Sequence, residues 1–377
     1  MIAVGQFAET AEYLRDVYEE AERKIVEAIA RRASRGLNAT NWQAQKYAEI
    51  KDARAELEKI VADMKGERGQ AAQEAVFNAY NAAADQCTTD IQHVTDTLGI
   101  THVSRSSGKA ARILSELSGE LNASDRIILR QSCDAYADVI GRTSALMATG
   151  TITTRQACQQ ALEEFAAKGV TGFVDTAGRH WDMATYTEMA TLTAIERATR
   201  YGYMDTMESY GYDLAIISSH VGACELCESW ESVVVSVSGT NPNYPSLDDA
   251  EAGGCFHPRC LHDLEVYYGD ADQRYARNEP RDVKEPSEAY TVRSKQRYYE
   301  RKVRQWKRVE VAMKTAGDAK AERAAYSKVT MYQGKIRALR NEYNSSTRND
   351  WLPRKYDREG GRVTLSAEAL KLKPERR

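Results

Sequence analysis

Apolar residues recur every three or four positions over most of the chain. Leu14, Val17, Ala21, Ile25 and Ala28 fall on one stripe of a helix that starts near Gly5. Asn38 and Thr40 can cap a second helix, which runs through Ile50, Leu57, Ile60 and Val61. A third covers residues 70–94. Small polar residues at 104–108 interrupt the pattern, and shorter helices are predicted over 110–121, 124–147 and 153–167, with Gly150, Gly169 and Gly172 as stops. Ala, Glu, Arg, Gln and Leu dominate these first 170 residues, and no proline occurs before Pro242, which favours helix throughout.

The texture changes after Val174. The run from Asp175 through Gly178 and Arg179 to Trp181 reads as a turn leading into a helix over 183–200. Leu214–Ile217 and residues 233–237 are short β-branched runs that flank a cysteine-containing turn. Residues 239–267, punctuated by Pro242, Pro245, Gly253, Gly254 and Pro258, read as a loop, and so long a loop inside a compact unit suggests a bound metal. Pro280 and Pro286 bracket a charged connector. Beyond it Val292, Tyr299, Val303, Trp306, Val309 and Met313 keep helical rhythm. Val329, Tyr332, Ile336, Leu339 and Tyr343 do the same after Gly317. The resulting expectation is a mainly α chain. It has an elongated N-terminal helical region (1–170), a small α+β domain with a Cys/His knot (171–272), a linker (273–289), and basic helical arms ending in a polar tail (290–377).

A length of 377 residues suggests two or three units, and 42% hydrophobic with 28% charged residues supports a folded chain. No apolar run reaches the roughly 18 residues of a membrane span, and the first residues lack the basic head and apolar block of a signal peptide. A chain neither membrane-spanning nor routinely secreted is therefore expected. The formal net charge of −3 hides an asymmetry. Residues 290–377 hold 24 Lys+Arg against 10 Asp+Glu, or +14, which leaves −17 for the first 289. Such a basic end suits nucleic acid or an acidic protein surface.

Three of six histidines and four of seven cysteines lie between His220 and His262. Cys224-x-x-Cys227 lets two thiolates turn toward one ion, and His257-x-x-Cys260 repeats that geometry. The spacing assigns a structural zinc to Cys224, Cys227, His257 and Cys260, with His220 and His262 as substitutes or supporting groups. The 29 residues between Cys227 and His257 exceed the usual ribbon spacing of roughly 15–20. Buried, unligated thiols are the plainer alternative. Four protein ligands would close the shell and leave no position for substrate. Cys87, Cys133 and Cys158, without histidines nearby, read as packing residues.

Signatures of phosphate loops, nucleophile elbows and zinc proteases are missing, which argues against an enzyme. Arg293, Lys295, Arg297, Arg301, Lys302, Arg304, Lys307 and Arg308 form a basic face suited to DNA or an acidic partner. The interleaved Tyr298, Tyr299, Trp306, Tyr326 and Tyr332 mostly follow the apolar stripe and read as packing.

The order of motifs carries a resemblance. Asp175-x-x-Gly178-Arg179-x-Trp181, Tyr186-x-Glu188-Met189 and Thr193-x-x-x-Arg197 precede Ser219-His220-x-Gly222-Ala223-Cys224-x-x-Cys227-x-x-Trp230. Tyr244-Pro245-Ser246-Leu247, Gly253-Gly254 and Cys260-x-His262 follow, then Gln296-Arg297-x-x-Glu300-Arg301-x-x-Arg304-x-x-Lys307 and Gln333. Over residues 172–358 the chain resembles the tailed-phage minor capsid protein 2 family, related to the head morphogenesis proteins of phage Mu type. The resemblance implies a non-enzymatic structural protein, made in the bacterial cytoplasm and carried inside the phage head. It would sit near the portal protein and major capsid protein, in reach of packaged DNA, and assist head assembly and DNA packaging or ejection. A zinc-containing nuclease, with His220 or His262 as base, is the competing expectation.

Overall fold

The computed structural model describes residues 5–94, 108–269, 276–285 and 287–347. The polar interruption at 104–107, His102, connector residues 273–275 and 286, and the tail at 358–377 lie outside the described residues. The chain is mainly helical, as its periodicity indicates. The elements in order are α1 (Gly5–Ser34), α2 (Trp42–Ala48), α3 (Ile50–Val94), α4 (Gly108–Ala148), α5 (Thr154–Lys168), β1 (Thr171–Val174) and β2 (His180–Asp182). After these come α6 (Met183–Ser209), β3 (Leu214–Ile217), α7 (Glu225–Glu228), β4 (Val234–Ser236), α8 (Leu247–Ala252), β5 (Leu264–Val266), α9 (Glu288–Ala316) and α10 (Ala319–Thr347). No described helix is long and apolar enough to cross a membrane.

Two expected breaks are absent. α3 runs unbroken through Gly66 and Gly69, because Ala53, Leu57, Val61, Met64, Ala71, Val76, Tyr80, Cys87 and Ile91 form one buried stripe along it. Glycine in a helix costs roughly 1 kcal/mol, less than the burial gained on either side. Arg68, inside this stretch, bonds to Asp125 of α4, which also accepts the Tyr18 hydroxyl of α1 at 2.9 Å. α4 likewise joins two expected helices, with buried Leu121, Ser124 and Ile128 continuing its stripe.

α6 is the axis of the bundle, packed on α1, α3 and α4. It is buried on most sides and made largely of Ala and Thr, whose small side chains let neighbours approach. The hydroxyls of Thr187, Thr199 and Thr206 donate to carbonyls one turn earlier, so their burial leaves no donor unpaired. The helix continues to Ser209, past the expected end at 200. Gly202 permits this, since a Cβ there would lie 2.2 Å from the Tyr80 carbonyl oxygen of α3. Gly202→Ala would gain helix propensity, yet backbone cannot yield as a side-chain tip can. The expected result is a net loss of roughly 2–3 kcal/mol in urea unfolding; a stabilised variant would refute this close crossing.

Strands β1 and β2 form an antiparallel hairpin, with Phe173 opposite Trp181. Asp175 closes its turn, accepting the backbone amides of Ala177 and Arg179. β3 lies between β4 and β5, antiparallel to both. Ile216 faces Val234 and Ile217 faces Leu264, so the end of β3 and the starts of β4 and β5 meet at one edge. Both cysteine-bearing connections are thereby delivered to that edge. β5 and α8 fall inside the stretch read as loop. Three-residue strands and a six-residue helix are too short to impose a period.

α9 starts at Ser287, whose hydroxyl accepts the Tyr290 amide, and ends at left-handed Gly317. It packs on α1 and α5, and α10 folds back along it. Tyr299, Trp306 and Tyr332 surround Val303, Val329 and Ile336 between the two helices, whereas Tyr298 and Tyr326, read as packing, lie off that seam and are exposed.

Candidate metal centre

Cys224 caps the single turn of α7 and Cys227 lies within it, so both sulfurs face the same side. Opposite them the segment from Gly253 to His262 turns sharply. A Cβ on Gly253 would strike the Trp230 indole at 2.6 Å, and Gly254 adopts φ +94 against Leu226. These contacts explain the glycine pair beside a tryptophan three residues beyond the second cysteine. Phe256 and Arg259 also hold left-handed backbone, at φ 58 and 68. Such conformations are costly for side chains with a Cβ, and the surrounding contacts must hold them in place.

The segment brings five donors together. The Cys224 sulfur lies 3.0 Å from His257 Nε2, and Cys227 lies 3.6 Å from Cys260. Cys260 is 3.3 Å from His262 Nδ1. Two triads, Cys224–Cys227–His257 and Cys227–Cys260–His262, share Cys227, with the ligand atoms of each within 4.8 Å of one another. With metal–sulfur bonds of roughly 2.3 Å, two thiolates on one tetrahedral ion stand about 3.8 Å apart, close to the Cys227–Cys260 separation. The cluster could hold a metal ion.

Electrostatics distinguishes the sulfurs. Its bond with Cys227, helped by His257, lowers the Cys224 thiol to about 4. Its bond to Cys224 raises His257 to about 9 against the opposing effect of burial. Cys260 is lowered by Cys227, Cys255 and His262, while Cys227 is raised by the neighbouring thiols Cys224, Cys255 and Cys260. The site is thus poised with thiolate beside imidazolium, the proton stock that a bound metal displaces. His257 Nδ1 lies 2.9 Å from the Pro258 carbonyl, an acceptor only, so Nδ1 carries the proton and Nε2 can ligate.

Of the four residues assigned from spacing, Cys224, Cys227 and His257 fall in one triad, while Cys260 falls in the other with Cys227 and His262. His220 packs its ring 4.2 Å from that of His262, outside both triads, and its Nε2 is buried without a hydrogen-bond partner. Sequence reasoning missed Cys255, which interacts with Cys227 and Cys260. Its position five residues before Cys260 was the available signal. It also missed Glu231, whose Oε1 accepts the His220 amide at 2.9 Å and lies 3.2 Å from His262 Nε2. Burial works to raise the Glu231 carboxyl, but these bonds hold it below the usual range. Cys260, His262 and Glu231 stand in the order of nucleophile, base and orienting carboxylate. At 4%, 2% and 6% exposure they form a buried polar chain that fixes the Cys260 sulfur.

The basic face of α9 divides. Lys295, Arg301 and Lys307 are exposed, and Arg293, Arg297 and Lys302 are partly so. Arg304 is buried, donating to Thr185 Oγ1 at 2.7 Å and lying 3.7 Å from Glu19. Arg308 pairs with Glu22 at 3.1 Å and donates to the Ala166 carbonyl. These two arginines fasten α9 to α1, α5 and α6.

Residues 2–341 match the family described as phage minor capsid protein 2. A structural protein of Lactococcus phage LL-H is 30% identical over 233 residues, covering 59% of this chain and 61% of that protein. The chain thus spans less than two thirds of that relative's length. A structural protein of Lactococcus phage mv4 is 34% identical over 122 residues, covering 32% of this chain and 93% of that one. No solved structure matches. A match over nearly the whole described chain places it in a family: the chain belongs to the phage minor capsid protein 2 family.

Proposed function

We propose that the chain is a non-catalytic structural component of a tailed-phage head, seated inside the head at or near the portal. There it assists assembly and DNA packaging or ejection. The observation that carries the reading is family membership across residues 2–341. Its helical surfaces serve for docking on portal and major capsid proteins, and α9 turns its outer basic residues toward packaged DNA. The Cys/His knot binds one structural zinc through Cys224, Cys227, His257 and Cys260. His262, tied to Glu231, orients Cys260, and Cys255 lies beside the shell. A closed set of four protein ligands makes the ion a fastening.

Quantitative mass spectrometry of purified particles is expected to find the protein at a few copies per virion, co-purifying with portal in emptied heads. Its absence from particles would end the reading. Incubation of the purified chain with DNA and divalent metal is expected to leave the DNA intact. Cleavage that disappears in a His220→Ala or His262→Ala variant would establish the nuclease alternative instead.

A further inference from the structure

We propose that Arg259, Arg293, Arg297 and Arg301 form a phosphate-binding cleft between the Cys/His segment and the first half of α9, with the phosphodiester backbone of nucleic acid as its occupant. This deepens the DNA-facing part of the reading above and names the residues that would carry it.

Geometry places the four together. Positions 293, 297 and 301 recur every four residues on one side of α9. The start of that helix is tied to the cysteine loop by the Ser287 hydroxyl, which donates to the Ala223 carbonyl at 3.2 Å. Arg259 reaches from the other side, donating to the Thr185 carbonyl at 3.3 Å and to Glu188 at 3.0 Å. Arg304 ends on the hydroxyl of the same Thr185, so the two guanidiniums meet at one residue of α6. Arg297 and Arg304 both act electrostatically on Arg259, and Arg297 and Arg259 both act on Arg293. Arg304 and Arg297 act on Arg301. Asp182, Glu188 and Glu300 act on this group, and Glu19 lies 3.7 Å from Arg304. Five arginines therefore face four acids.

Stability alone gives no reason for this arrangement. Like charges four residues apart destabilise a helix. Arg297 and Arg301 make no ion pair or hydrogen bond with any described residue, and Arg259 Nε is buried with no partner. Several guanidiniums converging on one region suit a tetrahedral oxyanion, whose oxygens can accept from several forks at once. A carboxylate is satisfied by a single fork. Arg259 lies between His257 and Cys260, so the metal knot would set its position.

The test uses the full chain, with inorganic phosphate by calorimetry and a mixed-sequence DNA duplex by fluorescence anisotropy, over roughly 50–200 mM salt. Arg297→Ala with Arg301→Ala is expected to weaken both ligands by about tenfold and to lower the salt slope for DNA by about 2. Lys320→Ala with Lys328→Ala, exposed on α10, should change the phosphate affinity little. Arg259→Lys keeps the charge but loses the fork, and should fall between. Should the double variant melt early, Arg301→Gln at an exposed position carries the same comparison. Undiminished DNA binding by Arg297→Ala with Arg301→Ala overturns the proposal, as does a wild-type chain that binds polyglutamate but neither phosphate nor DNA. Either failure leaves the virion reading intact, because particle composition decides that separately.

Discussion

Cys224→Ser combined with Cys227→Ser is expected to abolish binding of about one zinc per chain and to lower stability by an amount comparable with that of a whole domain. Structural zinc contributes on the order of 10–16 kcal/mol to small fingers, whereas folded domains hold only roughly 5–15 in total. The knot gathers the ends of β3, β4 and β5, and little else in this edge repeats a hydrophobic period. Without the ion, the raised thiol of Cys227 and the charged pair of Cys224 and His257 would remain clustered with no common partner. Hydrogen exchange should then rise first in Leu214–Ile217 and Leu264–Val266. The long helices, held by their own stripe contacts, should keep most of their far-ultraviolet signal. Elemental analysis reads the metal and calorimetry reads the melting. A wild-type chain free of metal, melting where the double variant melts, would show that the sulfurs are held by packing alone.

His257→Ala should release zinc, whereas His257→Cys should retain it because a thiolate can replace imidazole in a tetrahedral shell. Cys255→Ser should also retain it if Cys255 stands beside the shell. Loss of metal in Cys255→Ser with retention in His257→Ala would exchange the two residues' roles.

Periodicity carried the helical framework because long stripes outlast local interruptions. Leu14 to Ala28 lie where their spacing requires, buried in α1. The same rule erred between Val61 and residue 70 and just after Leu121, where a lapse in the rhythm marked a helix end. Packing along α3 and α4 extends on both sides of those points and outweighs it. The closeness of Cys224 to Cys227 was legible because it depends on a separation of a few residues, whereas His257 and Cys260, equally spaced, fall in different triads. Cys255, Glu231 and Arg259 were not legible, since their roles arise from contacts across the turn. Charge proved the least legible property. Arg304 and Arg308 belong to the same basic series as Lys307, and only tertiary packing reveals that they point inward.

Arg308 supplies the second large effect. Its guanidinium spans α9, α1 and α5, meeting the Glu22 carboxylate at 3.1 Å and the Ala166 carbonyl. Glu22 is buried, and its other oxygen accepts the Val170 amide at 2.9 Å, so it cannot turn away to water. Arg308→Met keeps much of the volume but strands this carboxylate, and truncating one partner of such a pair typically costs about 3–5 kcal/mol. Adding Glu22→Gln should recover part of the loss, because an amide oxygen can still accept from Val170 without carrying charge. The pH dependence has a fixed sign. Burial raises the Glu22 pKa above its ordinary value even with Arg308 lowering it, and removing Arg308 raises it further. Folding of the variant then favours the protonated carboxyl. That contribution is complete below the unfolded value of 4.5 and disappears as pH climbs through the raised folded value. The deficit of Arg308→Met relative to wild type should therefore be smaller at about pH 5 than at pH 8 in urea unfolding. An equal deficit at both, or none, would mean that Arg308 reaches solvent and belongs with the outward basic face after all.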